Sequence, residues 1–378
     1  MQGNKYKILF NLGPLKKGGG QNVALNFLQA IERSRDLNFI PYFAVCESSL
    51  IYSKLSKTQW KDNLIVVSAN PVKRIFQELF QVTNYIRQNK IGLVYTYFGF
   101  GMFGRKIKQV IGSADSNLYF PEIDFWKHET SIEKLKRFVV DKYRIFGLKM
   151  AAGVVFENVA MYERAEALFG IKEKRLILPS IVEPVDTLPV DFNFNQDCVK
   201  VLLLCGWQRN KNILLIPELA HNLKLKGLNV QFIISAKKDD SNCSQTFFQL
   251  VKKWNVEKAI NCIGQVNKSQ LPDLYTKVDQ VLLLSLLESF SNNIIEAWHF
   301  NRPLIVADEL WSRAICNKAA SYVPRNDVNA ISDTIALLVS DSKMVLDLIS
   351  EGKSELSLYP DIQERLRQEL EFLDGFVK

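Results

Sequence analysis

Short apolar runs recur along this chain, separated by longer stretches in which apolar positions return at helical spacing. In the first half the runs are "YKILFN" (6–11), "FIPYFAV" (39–45), "NLIVVSA" (63–69), "IGLVYTY" (91–97), "NLYF" (117–120) and "GVVFEN" (153–158). A second series follows: "VKVLLLCG" (199–206), "NVQFIIS" (229–235), "AINCIG" (259–264), "DQVLLLS" (279–285), "RPLIVAD" (302–308) and "SYVP" (321–324). Continuous apolar runs of this length suit strands buried on both faces, and strands alternating with amphipathic helices build parallel sheets covered on both sides. The pattern predicts two doubly wound, Rossmann-like α/β domains.

Between the two series, "PSIVEPVDTLPVDFNFNQD" (179–197) holds three prolines and no helical period, which reads as a linker. The expected organisation is a first domain over 1–180, a linker over 181–198 and a second domain over 199–355, with a cleft opening near the linker. The last stretch, 356–378, contains "PDIQERLRQELEFLDGFVK"; it begins with Pro-Asp and is strongly helical, so a closing helix could return to the first domain.

Composition adds limits. At 378 residues the chain is longer than one core usually grows, and its apolar fraction of 47% is ordinary for a globular protein. No apolar run approaches the roughly 18 residues of a spanning helix, and "MQGNKYKILFNLGPLKK" lacks the apolar stretch of a secretory signal, so a cytoplasmic location is expected. The six cysteines (46, 198, 205, 243, 262, 316) are scattered, without C-x-x-C spacing, and read as core thiols.

The net charge of +8 is uneven: 27 Lys+Arg face 15 Asp+Glu up to residue 180, and 21 face 25 after it. The basic half suggests an anionic partner such as a membrane surface, an anionic glycan or a nucleic acid; a solvated basic face is the alternative. "SIEKLKRFVVDKYRIFGLKM" (131–150) carries six cations against two acids on an amphipathic pattern. Such a helix either lies on an anionic bilayer, peripheral to the membrane, or packs its apolar side inward.

Candidate chemistry gathers in "LLLSLLESFSNNIIEAWHFNRPLIVAD" (282–308). A strand ending near Ser285 would put Glu288 in the loop at its carboxyl end, where open α/β sheets bind ligands. Ser291, Asn292 and Asn293 are all helix-capping types, so free N–H groups and a positive dipole end could receive a diphosphate there. Glu296, in the expected first turn, could accept hydrogen bonds from two ribose hydroxyls. The alternative is a capping box with Asn293. In the first half, Gly18, Gly19 and Gly20 follow a strand and precede a helix, allowing close approach of backbone to a phosphate or sugar, or simply a flexible turn.

"ESFSNNIIEA" followed by "NRPLIVAD" resembles the E-x7-E signature and next strand of the family-four retaining glycosyltransferases, which have the GT-B fold of two facing Rossmann-like domains. The resemblance implies that Glu288 lies by the donor sugar, that Glu296 binds the nucleotide ribose, and that the backbone of Phe290, Ser291 and Asn292 meets the phosphates. It implies Gly206 and Lys211, in "LLLCGWQRNKN", as part of the diphosphate site. Trp207 stands where the family has an Arg, and Arg209 is the candidate replacement. The glycine loop with Gly19 and Gly20 matches a family feature. Many relatives carry a histidine after the strand equivalent to "NLYF"; here "YFPEIDFWKHE" offers Glu122, Asp124 and His128 as acceptor-side candidates.

The implied activity is metal-independent transfer of a sugar from a nucleotide-diphosphate donor to a glycan or lipid-linked hydroxyl. The nucleotide sugar is a co-substrate, and neither a metal, another cofactor nor a nucleic acid partner is expected. A front-face mechanism would let the leaving phosphate oxygen take the acceptor's proton. The rivals are a nucleotide-sugar epimerase of the same architecture and a catalytically degraded binding module.

Overall fold

The structure, a computed structural model, describes residues 5–16, 19–34, 37–102, 107–123, 129–172, 174–179 and 198–377. The chain forms two compact units: Met1–Glu183 with Pro360–Lys378, and Pro184–Tyr359. The expected linker, apart from Cys198, lies outside the described residues.

The first unit holds seven parallel strands: β1 (Tyr6–Asn11), β2 (Phe39–Cys46), β3 (Leu64–Val67), β4 (Leu93–Thr96), β5 (Lys108–Ser113), β6 (Gly153–Phe156) and β7 (Lys174–Ile177). Their order is β3-β2-β1-β4-β5-β6-β7. Side chains alternate across the pleat. On one face Phe10 sits opposite Phe43 and Tyr95 and packs on Phe27 of the helix Gly19–Arg33, with ring centroids 5.3 Å apart. On the other face Leu9 and Val94 pack with Val82 and Ile86.

Two expectations need correction here. The run 117–120 is not a strand: Ser116–Leu118 forms a 3-10 turn, and the strand is Lys108–Ser113 instead. The buried Tyr119 explains the run's apolar character, since its hydroxyl bonds the Ser113 hydroxyl at 2.5 Å from beneath the strand end. The strand β7 has no counterpart among the expected runs.

The second unit holds six parallel strands: β8 (Val199–Leu203), β9 (Val230–Ile234), β10 (Ile260–Cys262), β11 (Gln280–Leu283), β12 (Leu304–Ala307) and β13 (Ser321–Val323), in the order β10-β9-β8-β11-β12-β13. In each sheet the chain moves outward from its first strand on one side, then crosses to the other. The crossovers make switch points between β1 and β4 and between β8 and β11, and ligands of open α/β sheets bind at the carboxyl ends of such strands. The architecture is that of the GT-B class.

The helix Ile362–Asp374 belongs to the first unit. Asp361 caps it, Arg365 donates to the Pro179 carbonyl at 2.8 Å, and Arg365 and Glu369 form a buried ion pair joined by the Tyr95 hydroxyl. Phe376, just past the helix, sits so close to Gly153 that any Cβ there would collide with it.

Candidate functional site

In the second unit, the loops after β8 and β11 are tied together. The Leu286 N–H donates to the Asn210 carbonyl at 2.7 Å, and Asn293 donates from Nδ2 to the Leu204 carbonyl at 2.9 Å. A tight 3-10 turn, Arg209–Lys211, ends at Asn212 in the left-handed region (φ 54°), which Asn tolerates better than most residues. Asn212 is held there by its Nδ2 bond to the Arg325 carbonyl at 2.7 Å.

That turn carries the Lys211 ammonium onto the Glu288 carboxylate, and the two form a largely buried ion pair with side chains 19% and 13% exposed. Sequence spacing marked each residue separately and gave no sign of their pairing. Arg209, two residues away, is exposed.

The helix Asn292–His299 starts beside this pair. Ser291 occupies the N-cap position with extended backbone, but its side chain makes no capping bond. The first-turn N–H groups therefore lack a side-chain cap, which suits an anion. Glu296 is the fifth residue of the helix, just past the expected first turn, because the helix begins at Asn292. The capping-box alternative fails as well: Asn293 bonds Leu204, and Glu296 accepts from the Tyr275 hydroxyl at 3.3 Å.

Burial pushes the Glu296 carboxyl up to about 7, although the Tyr275 bond and the nearby Lys268 pull it down. Burial also raises the Tyr275 hydroxyl well above its ordinary value. Tyr275 is stacked on Phe300 with centroids 4.6 Å apart, so this bond rests on a rigid ring. Tyr275 lies 21 residues before Glu296, beyond any local pattern, and only the fold reveals it.

Trp207 does not occupy a cation's place facing the Lys211–Glu288 pair. Its ring packs on Phe247 and Phe248, and Nε1 donates to the Lys237 carbonyl at 2.7 Å. Gly206 turns the chain just before it, where a Cβ would come within 3.0 Å of the Gln208 side chain. Phe290 packs against Tyr359.

In the first unit, Gly19 and Gly20 are the first residues of the helix after β1, not a loop before it; Gly18 lies outside the described residues. A Cβ on Gly19 would meet nothing within 4 Å. Glu122 is exposed and ion-paired to Arg164, while Asp124 and His128 lie outside the described residues.

Residues 187–355 match the family model for glycosyl transferases group 1. A search of curated proteins finds no sequence match. Solved structures with the same fold include sucrose-phosphate synthase (tll1590) from Thermosynechococcus elongatus, with a TM-score of 0.77, 14% identity and 98% of each chain covered. A glycosyltransferase from Rickettsia africae is similar at a TM-score of 0.70, 15% identity and 99% of each chain. Anabaena Alr3699/HepE in complex with UDP and glucose matches at a TM-score of 0.66, 14% identity, 98% of this chain and 100% of that one.

Proposed function

We propose, from the match of residues 187–355 to the group 1 glycosyl transferases, that the chain is a retaining, metal-independent enzyme that moves a sugar from a nucleotide-diphosphate donor to a glycan or lipid-linked hydroxyl. On this reading it works in the cytoplasm, peripheral on an anionic membrane. One observation carries the donor side: Lys211 pairs with Glu288 in the loops that follow β8 and β11, the strands of one switch point, and the helix that comes next starts without a side-chain cap and carries Glu296. The similar fold of a structure holding UDP and glucose supports a nucleotide sugar as donor.

Each residue then has a physical task. As the bond between the sugar and the phosphate breaks, negative charge gathers on the departing diphosphate. Lys211, Arg209 and the N–H groups of Ser291 and Asn292 stabilise that charge most at the transition state. Glu288 holds Lys211 in place before the donor arrives and meets the sugar afterwards. Glu296, once ionised, accepts the two ribose hydroxyls. The acceptor oxygen attacks the anomeric carbon on the face the diphosphate leaves, its proton passing to the leaving phosphate oxygen, so the configuration is kept. Gly19, Gly20, Glu122, Asp124 and His128 are the first-unit candidates for sugar and acceptor contacts.

The test starts with thermal shifts against UDP, GDP, ADP and their sugar conjugates, with chelator present. A bound nucleotide at a hundredfold excess over Kd adds about 2.7 kcal/mol of stability. Transfer assays on Glu288→Gln and Lys211→Ala should show losses on the order of 10²–10³ in rate. If both variants fold and transfer at the full rate, the site assignment is wrong. Loss of activity in chelator that Mg²⁺ restores would overturn the metal-independent part alone.

A further inference from the structure

Of the twenty-four large apolar side chains exposed among the described residues, twelve lie on two segments of the first unit. One is the helix Ser131–Met150, whose Ile132, Leu135, Phe138, Val139, Phe146 and Met150 are each 47–68% exposed while Leu148 is its one fully buried residue. The other is the helix Pro71–Gln77 with the π turn Glu78–Val82, which exposes Val72, Ile75, Phe76, Leu79 and Phe80. Half of the exposed apolar bulk on so short a length of chain is not the single scatter of an ordinary surface.

Both segments cover the same face of the first sheet. Val82 packs with Leu9 and Val94. The long helix rests on Gly101 and Ile111: the Tyr143 hydroxyl donates to the Gly101 carbonyl at 3.3 Å, and Gly147 is backed against both residues. Ile111 alternates with Val110, whose side chain lies in the core of the opposite face. At 3.6 residues per turn, Gly147 and Leu148 face the sheet, whereas Ile132, Leu135, Val139, Phe146 and Met150 fall on the outward arc together with Lys142 and Lys149.

The geometry points to this face as a docking surface for an anionic lipid bilayer, with both segments lying in the interface plane. The charge selects that occupant: the long helix carries six cations against two acids, and a second copy of the chain would bring the same positive charge to the contact. Lys142 and Lys149 can reach headgroups from within the apolar arc; the Lys142 Nζ lies over the Phe138 ring, 5.2 Å from its centroid. No helix among the described residues is long and apolar enough to cross a membrane, so the helix lies on the bilayer. The exposure of these apolar side chains, with Leu148 alone buried, corrects the inward-packing alternative for 131–150. This surface rests on the peripheral location proposed above and is independent of the transfer chemistry.

Flotation of the full chain with phosphatidylglycerol–phosphatidylcholine vesicles, against phosphatidylcholine alone, tests it. Wild type should float with the anionic vesicles only. Phe76→Ser/Phe80→Ser, Phe138→Ser/Phe146→Ser and Lys142→Glu/Lys149→Glu should each lower the partition coefficient about tenfold or more, at unchanged melting temperature. Flotation that all three variants retain would discard this face while leaving the peripheral location standing. No flotation of the wild type would sink both. Self-association that the variants abolish, without flotation, would make a second copy the occupant and overturn the bilayer.

Discussion

Glu296 holds a carboxyl where burial opposes its charge, and that has opposite consequences for folding and for binding. Its proton is held more tightly in the folded chain, up to about 7 against an ordinary 4.5. Its contribution to stability is therefore fullest below about pH 4.5 and is lost as the pH rises to about 7. Glu296→Gln removes the cost of the buried charge, so the variant should be more stable than wild type by roughly 1–3 kcal/mol at pH 8 and no more stable at pH 4.5, read by thermal or urea unfolding. On the proposed role it should also bind the nucleotide about 10- to 100-fold more weakly, because it loses charged hydrogen bonds to the ribose. A residue that only supported the fold would not give gain and loss together. Tyr275→Phe removes a bond that pulls the Glu296 carboxyl down, so the rise of nucleotide affinity with pH should move to a midpoint above that of wild type, checked by binding titrations from pH 5 to 9. Glu288 and Glu296 could be marked as candidates in the sequence because a strand, a loop and a helix start lie within one short stretch, and Lys211 because its spacing from Gly206 resembles the family's; the Lys211–Glu288 pairing came only with the fold. Tyr275 was not, since its approach to Glu296 depends on where a short helix ends on the far side of β11.

At the scale of elements, the turn that presents Lys211 depends on Asn212 at φ 54°. Asn212→Gly and Asn212→Val both delete the bond to the Arg325 carbonyl, but only valine opposes the left-handed backbone. The valine variant should therefore be less stable than the glycine variant by about 1–2 kcal/mol in urea unfolding. It should also transfer more slowly at saturating donor, since Lys211 would be displaced. Equal stability in the two variants would mean the turn relaxes without strain. Strands were readable where the apolar run was continuous, as in β8, β9 and β11. They failed in the first unit for a physical reason. Apolarity reports burial, and the run 117–120 is buried, with Tyr119 fully so, yet Ser116–Leu118 turns and Pro121 follows. The strand β5 opens with Lys108 and Gln109 and contains Gly112, which disguises it. The consequence reaches the acceptor side: Glu122 follows a turn rather than a strand, and it is engaged by Arg164.

For the whole molecule, two alternating series of strands were enough to read two α/β units, and the split of charge was enough to mark the first as basic. Neither could show that the apolar arc of 131–150 faces outward, because an amphipathic pattern fixes a stripe and not its direction. The closing helix raises the remaining question of how far the units depend on one another. Leu366, Leu373 and Phe376 are part of the first unit's core, and Glu369, fully buried, joins Arg365 to Tyr95. The six strands of the second sheet and the residues Lys211, Glu288 and Glu296 all precede Tyr359. Glu369→Ala would leave Arg365 a buried cation without its carboxylate, which costs roughly 3–5 kcal/mol. That loss should fall on the first unit alone. Limited proteolysis should then cut within residues 5–179 well before the second unit is touched, while a nucleotide that stabilises the wild type should still protect 198–359. Simultaneous cleavage of both units would mean that they fold as one cooperative body, and that the closing helix holds the whole chain rather than the first sheet.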